Sequence, residues 1–250
     1  MRHATKRIPY PIYRLIQPLV EFIRDKKAAR LYKTFVKKGD LCFDVGANVG
    51  NRLEILLQLG CRVVAVEPQS KLTEILTTRF GGNPKAIILQ KALGEAEGQG
   101  EIMISDASTV SSLSKDWIEA VKGSGRFSTT AWDKKEAVRL TTLNRLIEEH
   151  GVPAFIKIDV EGYEYEVIKG LSKLVPMISF EFVPEYMEMA FRSVDHLQQI
   201  GNVEFNYSLF EEMKMKSPDW VTAERLKALL SRYRDPITFG DIYARSVPKR

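Results

Sequence analysis

The amino-acid sequence predicts an α/β protein whose doubly wound sheet is mostly parallel, with one antiparallel closing strand. Short apolar runs alternate with segments of helical periodicity from residue 40 onward, a pattern typical of parallel sheets with crossover helices. A small-residue loop containing Gly46 and Gly50 joins the first apolar run to a helix, as in open α/β sheets that bind nucleotide-like ligands. Two apolar runs near the end of the chain, residues 204–210 and 241–245, indicate a terminal pair of strands.

The charge of the chain is unevenly distributed. Residues 1–39 contain 11 Lys and Arg against 2 Asp and Glu, a net charge of +9, whereas the other 211 residues contain 26 against 30, a net charge of −4. We therefore divide the 250-residue chain into a basic N-terminal extension, residues 1–39, and one domain, residues 40–250. The extension could contact an anionic membrane or nucleic acid, or it could be a solvated helix face with a flexible start.

Composition also indicates where the protein works. Cys42 and Cys61 belong to no Cys-x-x-Cys motif and no Cys/His cluster, and buried free thiols fit a reducing compartment. The chain has no run of 18 apolar residues that would predict a transmembrane helix. Arg14, Gln17 and Pro18 interrupt the apolar start, so we expect no signal peptide and a cytoplasmic protein. The oligomeric state does not follow from the sequence.

Periodicity predicts the elements of the first half. Residues 1–20 contain three prolines and are expected to be irregular, whereas apolar side chains recur at helical spacing in residues 21–38 and predict an amphipathic helix. The later helices are expected at residues 51–59 and 71–80, the second capped by Ser70. The apolar runs that predict strands occupy residues 41–45, 62–66, 86–90 and 101–105.

The second half continues the alternation. A helix is expected from Thr142 to His150, followed by a buried strand from Phe155, a helix at residues 164–174 and a strand at residues 177–182.

Two other segments lack a clear place in the sheet. Residues 106–137 have weak periodicity and are expected to form a long functional or mobile loop, and residues 184–236 hold helical patches. We expect both segments to act as lids or to select an acceptor. Trp117, Trp132 and Trp220 could stack against an acceptor ring, although packing in the core is the default for each.

The loop after the first strand favours a cationic ligand. Its spacing, Gly46-x-Asn48-x-Gly50, differs from the Gly-x-Gly-x-x-Gly of dinucleotide sites, and Asp44 would repel a pyrophosphate. S-adenosylmethionine has an amine, a sulfonium and a ribose but no phosphate, so it suits this loop better than NAD. Glu67 lies 17 positions after Gly50, at the end of the next strand, where a carboxylate could accept both ribose hydroxyls. Alternatively, Asp44 only caps the loop and the glycines only permit close helix packing.

Two carboxylates follow the buried strand that begins at Phe155. If the strand continues, Asp159 and Glu161 point to the same side, because strand side chains alternate with a period of two. One of them could take a proton from an acceptor hydroxyl, or the pair could hold a divalent metal such as Mg²⁺ or Mn²⁺. Alternatively, Glu161 caps the next helix. Glu181 is a third candidate for the site, and His196 is a candidate base or a surface residue.

Three motifs together resemble the FkbM family of S-adenosylmethionine-dependent methyltransferases. They are DVGANVGN at residues 44–51, VEP at residues 66–68 and FIKIDVEGYEYEVIKG at residues 155–170, and the resemblance extends over residues 40–183. It implies a class I methyltransferase fold and transfer to a hydroxyl oxygen of a sugar, glycan or natural product.

The resemblance also implies roles for residues of this chain. The loop from Asp44 to Gly50 would line the methionine portion of the cofactor, and Glu67 would hold the ribose. Gln90 and Ala92 would face the adenine, and Asp159 would lie beside the reacting methyl.

Two other functions stay open. The basic N-terminus suggests a nucleic-acid methyltransferase, but the acidic body lacks a basic and aromatic stripe, which makes nucleic acid an unlikely partner. The other alternative is a module that binds S-adenosylmethionine without catalysis.

Overall fold

A computed structural model describes residues 10–106 and 108–248 of the chain. Its strands are β1 Leu41–Val45, β2 Arg62–Val66, β3 Ala86–Leu89, β4 Ala92–Leu93, β5 Gly98–Ile104, β6 Lys134–Thr141, β7 Phe155–Ile158, β8 Met177–Phe182, β9 Val203–Leu209 and β10 Gly240–Ser246. Its helices are α1 Tyr10–Tyr32, α2 Asn51–Gln58, α3 Ser70–Phe80, α4 Lys115–Gly123, α5 Leu143–His150, α6 Glu164–Lys169, α7 Met187–Ile200 and α8 Ala223–Leu230.

The main sheet has seven strands in the order β3-β2-β1-β7-β8-β10-β9. Strand β10 pairs antiparallel with both β8 and β9, and the other pairs are parallel. This is the class I methyltransferase arrangement, so the predicted fold is confirmed. The order reverses between β1 and β7, and ligands of open α/β sheets bind beyond the carboxyl ends of the strands at such a point.

Both faces of the main sheet are buried, which explains why its strands read as continuous apolar runs. Phe43 and Ile156 belong to the core on one face, whereas Cys42 and Phe155, their neighbours in the chain, belong to the core on the other face. Cys42 and Cys61 are buried free thiols, as the sequence predicts.

A second, smaller sheet lies beside the first and has the order β4-β6-β5. It corrects the expectation of a long loop over residues 106–137, because this segment contains α4 and the first half of β6. The periodicity is hard to see because α4 has only nine residues. Ser114 caps it by accepting a hydrogen bond from the Trp117 amide, and Trp117 is buried in the core, so it is not available for stacking.

The N-terminal helix differs most from its prediction. α1 begins at Tyr10 and ends at Tyr32, so residues 10–20 are helical rather than irregular, while residues 1–9 lie outside the described part. Pro11 lies in the first turn, where a missing amide hydrogen breaks no helical hydrogen bond. Ser70 provides no side-chain cap, because it is the first residue of α3 and Gln69 occupies the N-cap position; the Ser70 amide donates to Glu136. Within the described residues, no helix is both long enough and apolar enough to cross a membrane.

Candidate active site

The loop between β1 and α2 packs directly against the end of β7. The Gly46 amide donates to the Val66 carbonyl at 2.9 Å, and Gly46 has a φ of 80°. A Cβ at this position would lie 1.8 Å from the carbonyl oxygen of Asp159, so only glycine allows this approach. Gly50, with a φ of 91°, is restricted in the same way by Phe80. The two glycines of the sequence motif therefore bring the loop against β7 and α3.

Glu67 is buried at the end of β2 and faces this loop. Its Oε2 accepts a hydrogen bond from the Asn48 amide at 2.9 Å, and its Oε1 accepts from the Gln69 amide at 3.0 Å and from Gln69 Nε2 at 3.2 Å. Burial raises the pKa of the Glu67 carboxyl, although these hydrogen bonds oppose the shift. The side chain is therefore held in one orientation before any ligand binds.

Glu67 lines a cavity with about 510 Å³ of empty space, which we call the apolar cavity. The walls come from the ends of β1, β2 and β7 and from the small sheet. They comprise Val45, Gly46, Asn48, Val66, Glu67, Pro68, Gln69, Lys91, Ala92, Leu93, Ile102, Thr109, Ser111, Leu113, Asp159, Val160, Glu161 and Tyr163. Ala92 is in the wall as predicted, whereas Gln90 is not, and Lys91 and Leu93 lie there instead.

A second cavity, with about 870 Å³ of empty space, adjoins the first. We call it the acidic cavity, since five carboxylates and two arginines line it. Its walls comprise Arg24, Asp44, Gly46, Ala47, Asn48, Val49, Asn51, Arg52, Thr109, Asp159, Glu161, Glu181 and Glu211. The two cavities share Gly46, Asn48, Thr109, Asp159 and Glu161. A ligand in one cavity therefore borders on a ligand in the other.

Three of the predicted carboxylates meet here, two in the shared wall and one, Glu181, in the wall of the acidic cavity. Asp159, Glu161 and Glu181 each offer one oxygen, and these oxygens all lie within 4.8 Å of one another. The sequence predicts that a continuing strand would place Asp159 and Glu161 on one side. Instead, β7 ends at Ile158, and Glu161 adopts a left-handed conformation with a φ of 53°. A turn, not an extended strand, brings Glu161 to Asp159.

Two side chains hold this turn. Ser112 Oγ donates to the carbonyl of Glu161 at 2.6 Å. Glu164 accepts from the amides of Val160 and Gly162, which precede α6, and the capping role considered for Glu161 is not found, because α6 has no side-chain cap. Glu161 is therefore free of the helix start and faces both cavities.

The acidic groups raise one another's proton affinity. Burial, together with Asp159 and Glu164, raises the pKa of Glu161 well above its ordinary value. Burial, together with Glu161 and Asp159, does the same for Glu181. Burial raises the pKa of Asp44 to about 7, although Lys157 opposes this shift.

Asp44 is 1% exposed, and among the described residues its Oδ2 has no hydrogen-bond partner. Its place is in the wall of the acidic cavity. Such an oxygen is suited to a ligand donor or cation, since an unpaired buried acceptor is costly.

A buried lysine lies behind the carboxylates. Lys157 Nζ lies 3.2 Å from Asp159 Oδ2 and 2.9 Å from Asp241 Oδ1. Burial alone would lower the pKa of Lys157, but Asp159 and Asp241 outweigh it and raise this pKa well above its ordinary value. Lys157 therefore carries its charge and holds Asp159 in position.

The structure does not bring His196 to this site. It lies in α7, and its Nε2 is 2.9 Å from the carbonyl oxygen of Leu171, which follows α6. His196 lines neither cavity. Its ring is engaged with the protein backbone, so the interpretation as a catalytic base finds no geometric support.

Several wall residues were not found by sequence reasoning. Gln69 fixes Glu67, and Ser111 Oγ in turn donates to Gln69 Oε1 at 3.1 Å. Ser111 lies in the segment 106–137, which the sequence predicts to be functional or mobile, but no sequence pattern distinguishes it from the neighbouring serines. Arg24 and Arg52 reach the acidic cavity from α1 and α2, and Arg52 Nη2 binds Glu211 at 2.7 Å. The place of Arg24 in this wall depends on how α1 packs against the body, which the sequence does not reveal.

Comparisons with known proteins are consistent with this geometry. A sequence model of the methyltransferase FkbM domain matches residues 44–217. The hexuronic acid methyltransferase AglP of Haloferax volcanii is 24% identical over 161 residues, which cover 64% of this chain and 61% of that protein. The chloroplastic ribosomal RNA small subunit methyltransferase of Arabidopsis thaliana is 32% identical over 56 residues, which cover 22% of this chain and 16% of that protein.

Both matches span less than two thirds of the relative's length. Among solved structures, precorrin-6y C5,15-methyltransferase from Geobacter metallireducens GS-15 has a TM-score of 0.46 and 11% identity, with 91% of this chain and 87% of that chain covered.

Proposed function

The chain belongs to the FkbM methyltransferase family, and we propose that it transfers a methyl group from S-adenosylmethionine to a hydroxyl oxygen of a sugar, glycan or natural-product acceptor. The main support for this proposal is the arrangement of the two cavities. The apolar cavity, which contains Glu67, and the acidic cavity, which contains Glu181, share a wall formed in part by Asp159 and Glu161. A cofactor and an acceptor placed in the two cavities would therefore meet at carboxylates.

The residues present suit S-adenosylmethionine. Glu67 would bind the ribose hydroxyls, and Ala92 and Leu93 would contact the adenine. Gly46 lines both cavities, and its lack of a Cβ lets this loop pack against the Asp159 carbonyl. Asp44 Oδ2, buried and unpaired among the described groups, would receive the ammonium of the methionine portion. When bound, S-adenosylmethionine supplies an electrophilic methyl group on a sulfonium centre.

The protein's part in the reaction is to orient the acceptor and to remove a proton. Asp159 would accept the hydroxyl proton as the carbon–oxygen bond forms, and Lys157 would hold the carboxylate in place at 3.2 Å. Asp159 is the better candidate than Glu161, because burial raises the pKa of Glu161 and favours its protonated form, whereas the Asp159 side chain is 39% exposed and lines both cavities. Alignment of the oxygen with the methyl group contributes much of the rate in such displacements.

A metal-assisted mechanism is the alternative for the same residues. Mg²⁺ and Mn²⁺ prefer oxygen ligands, and Asp159, Glu161 and Glu181 offer three oxygens within 4.8 Å of one another. A bound ion would lower the pKa of an acceptor hydroxyl. Activity that disappears with a chelator and returns with Mg²⁺ would support this mechanism, whereas activity unchanged by a chelator would support Asp159 as the base.

An acidic sugar is the acceptor we would test first. Arg24 and Arg52 line the acidic cavity, and Nη1 of Arg52 has no hydrogen-bond partner among the described residues. Guanidinium groups bind carboxylates well, and the relative from Haloferax volcanii is a hexuronic acid methyltransferase. The two buried thiols fit a cytoplasmic location, which we include in the proposal.

Two measurements test the proposed function. Titration calorimetry should show binding of S-adenosylmethionine and S-adenosylhomocysteine but not of NAD. A screen of sugars and uronic acids with radiolabelled methyl donor should then identify a labelled acceptor. Binding of NAD without binding of S-adenosylmethionine would refute the proposal, and cofactor binding without turnover on any acceptor would favour a non-catalytic module.

A further inference from the structure

The middle of α1, residues 19–23, carries an unusual set of large apolar side chains. Leu19, Val20, Phe22 and Ile23 are 60%, 50%, 57% and 45% exposed. Isolated exposed apolar residues are common on protein surfaces, but a contiguous group indicates a contact surface.

Six of the exposed residues form one face of the helix, while Val20 and Glu21 are exposed on its other sides. Leu19, Phe22, Ile23, Lys26, Lys27 and Arg30 are all exposed and follow the spacing i, i+3, i+4, i+7, i+8, i+11, which places them on one side. The opposite side is buried against the body through Ala28 and Tyr32. We call the exposed side the outer face of α1. It is apolar at its N-terminal end and basic at its C-terminal end.

We propose that the outer face of α1 docks the protein onto an anionic lipid bilayer. Phe22, Leu19 and Ile23 would enter the boundary between headgroups and acyl chains, while Lys26, Lys27 and Arg30 would contact lipid phosphates. Amphipathic helices with aromatic and aliphatic residues beside a basic surface bind membranes in this way. Lys214 lines a groove together with Lys27 and Arg30, which extends the basic surface beyond the helix.

Two other occupants fit the outer face less well. Nucleic acid would pair with the lysines but would leave Leu19, Phe22 and Ile23 in water, and the basic residues are not interleaved with aromatic ones along a groove. A second copy of the chain, docked face to face, would bring Lys26, Lys27 and Arg30 against a like-charged set in parallel orientation. In antiparallel orientation it would bring them against Leu19, Phe22 and Ile23. An anionic bilayer offers acyl chains to the apolar end of the outer face and lipid phosphates to its basic end.

Docking would also orient the acidic cavity. Arg24, in the same helix, lines that cavity, so a docked α1 would hold the cavity beside the membrane surface. The inference goes beyond methyl transfer and does not depend on it, because lipid binding can be measured without cofactor or acceptor.

The test uses the full chain and vesicle flotation. Vesicles of phosphatidylcholine alone should bind little protein, whereas vesicles that also contain phosphatidylglycerol should bind it in a salt-sensitive manner. A Phe22→Ser/Ile23→Ser variant should bind at least tenfold more weakly, since it loses the inserting side chains. A Lys26→Gln/Lys27→Gln variant should bind about thirtyfold more weakly.

A matched control shows whether the effect belongs to α1. Val152 and Ile237 are 65% and 72% exposed elsewhere on the surface, so a Val152→Ser/Ile237→Ser variant should bind vesicles like the wild type. Because all four apolar positions are exposed, the variants should keep the wild-type melting temperature. Equal loss of binding in the control, or no preference for anionic vesicles in the wild type, would overturn the inference. Dimerisation or duplex binding abolished by Phe22→Ser/Ile23→Ser, without vesicle binding, would assign the face to that partner instead.

Discussion

Replacement of Asp44 by Asn should stabilise the free protein while weakening its cofactor affinity. Asp44 is 1% exposed, and its Oδ2 has no hydrogen-bond partner among the described residues. Burial raises the pKa of this carboxyl from 3.8 to about 7. Asn keeps the size of the side chain and one acceptor oxygen for the Leu53 amide, but it carries no charge.

The sign of the effect follows from proton linkage. In the folded protein Asp44 keeps its proton up to about pH 7, whereas in the unfolded chain it loses the proton near pH 4. Unfolding between these values releases a proton, so the contribution of Asp44 to folding stability decreases as pH rises from 4 to 7 and stays low above pH 7. The stabilisation by Asn should therefore increase between pH 5 and pH 8.

The magnitude follows from the same shift. One pKa unit corresponds to 1.36 kcal/mol, so the two units between pH 5 and pH 7 give the variant about 3 kcal/mol of additional stability relative to the wild type. For a chain of this length, about 3 kcal/mol should raise the melting temperature by roughly 6 °C or more.

Calorimetric melting of the cofactor-free protein at pH 5 and pH 8 measures this difference. Asp133 is exposed, and Asp133→Asn serves as the control that should show no such pH dependence. At pH 8 the affinity of Asp44→Asn for S-adenosylmethionine should be lower by about tenfold to a hundredfold, since the ammonium loses its charged partner. A variant no more stable than the wild type at pH 8, or equally stabilised at pH 5 and pH 8, would refute the reasoning.

Three further substitutions test other parts of the site. Glu67→Gln should weaken S-adenosylmethionine by roughly tenfold to a hundredfold in titration calorimetry, because one charged acceptor of the ribose is lost, whereas the exposed Glu74→Gln should bind normally. Asp159→Asn should keep the cofactor affinity and lower turnover by ~10²–10⁴ in a methyl-transfer assay, and full turnover would remove Asp159 from the mechanism. Gly46→Ala should give a protein that melts several degrees lower and no longer binds the cofactor, since its Cβ would overlap the Asp159 carbonyl; a wild-type melting curve would show that the loop has room to move.

The sequence predicts the main sheet well because its signals are local. Each parallel strand is an apolar run, and Gly46 and Gly50 mark the turn that packs tightly against β7 and α3. The meeting of Asp159 and Glu161 could be anticipated, but its cause could not. The left-handed conformation of Glu161 depends on Ser112, 49 positions away in the chain, whose hydroxyl holds the turn.

The rest of the site depends on long-range packing. Arg24 reaches the acidic cavity only because α1 lies against the body, and Ser111 meets Gln69 only because the small sheet folds beside β2. For His196 the sequence suggests a site residue that the structure places outside both cavities. A single histidine in a helical segment looks like a candidate base, but its ring binds a backbone carbonyl.

The position of the small sheet has a consequence for the time course of the reaction. Ile102 and Leu113 form part of the wall of the apolar cavity, and the hydrogen bond between Ser111 and Gln69 joins this wall to the loop after β2. We expect this wall to retain a nucleoside product until it opens. We expect a rapid burst of one methyl transfer per protein molecule in a quenched-flow experiment, followed by a slower steady rate set by product departure.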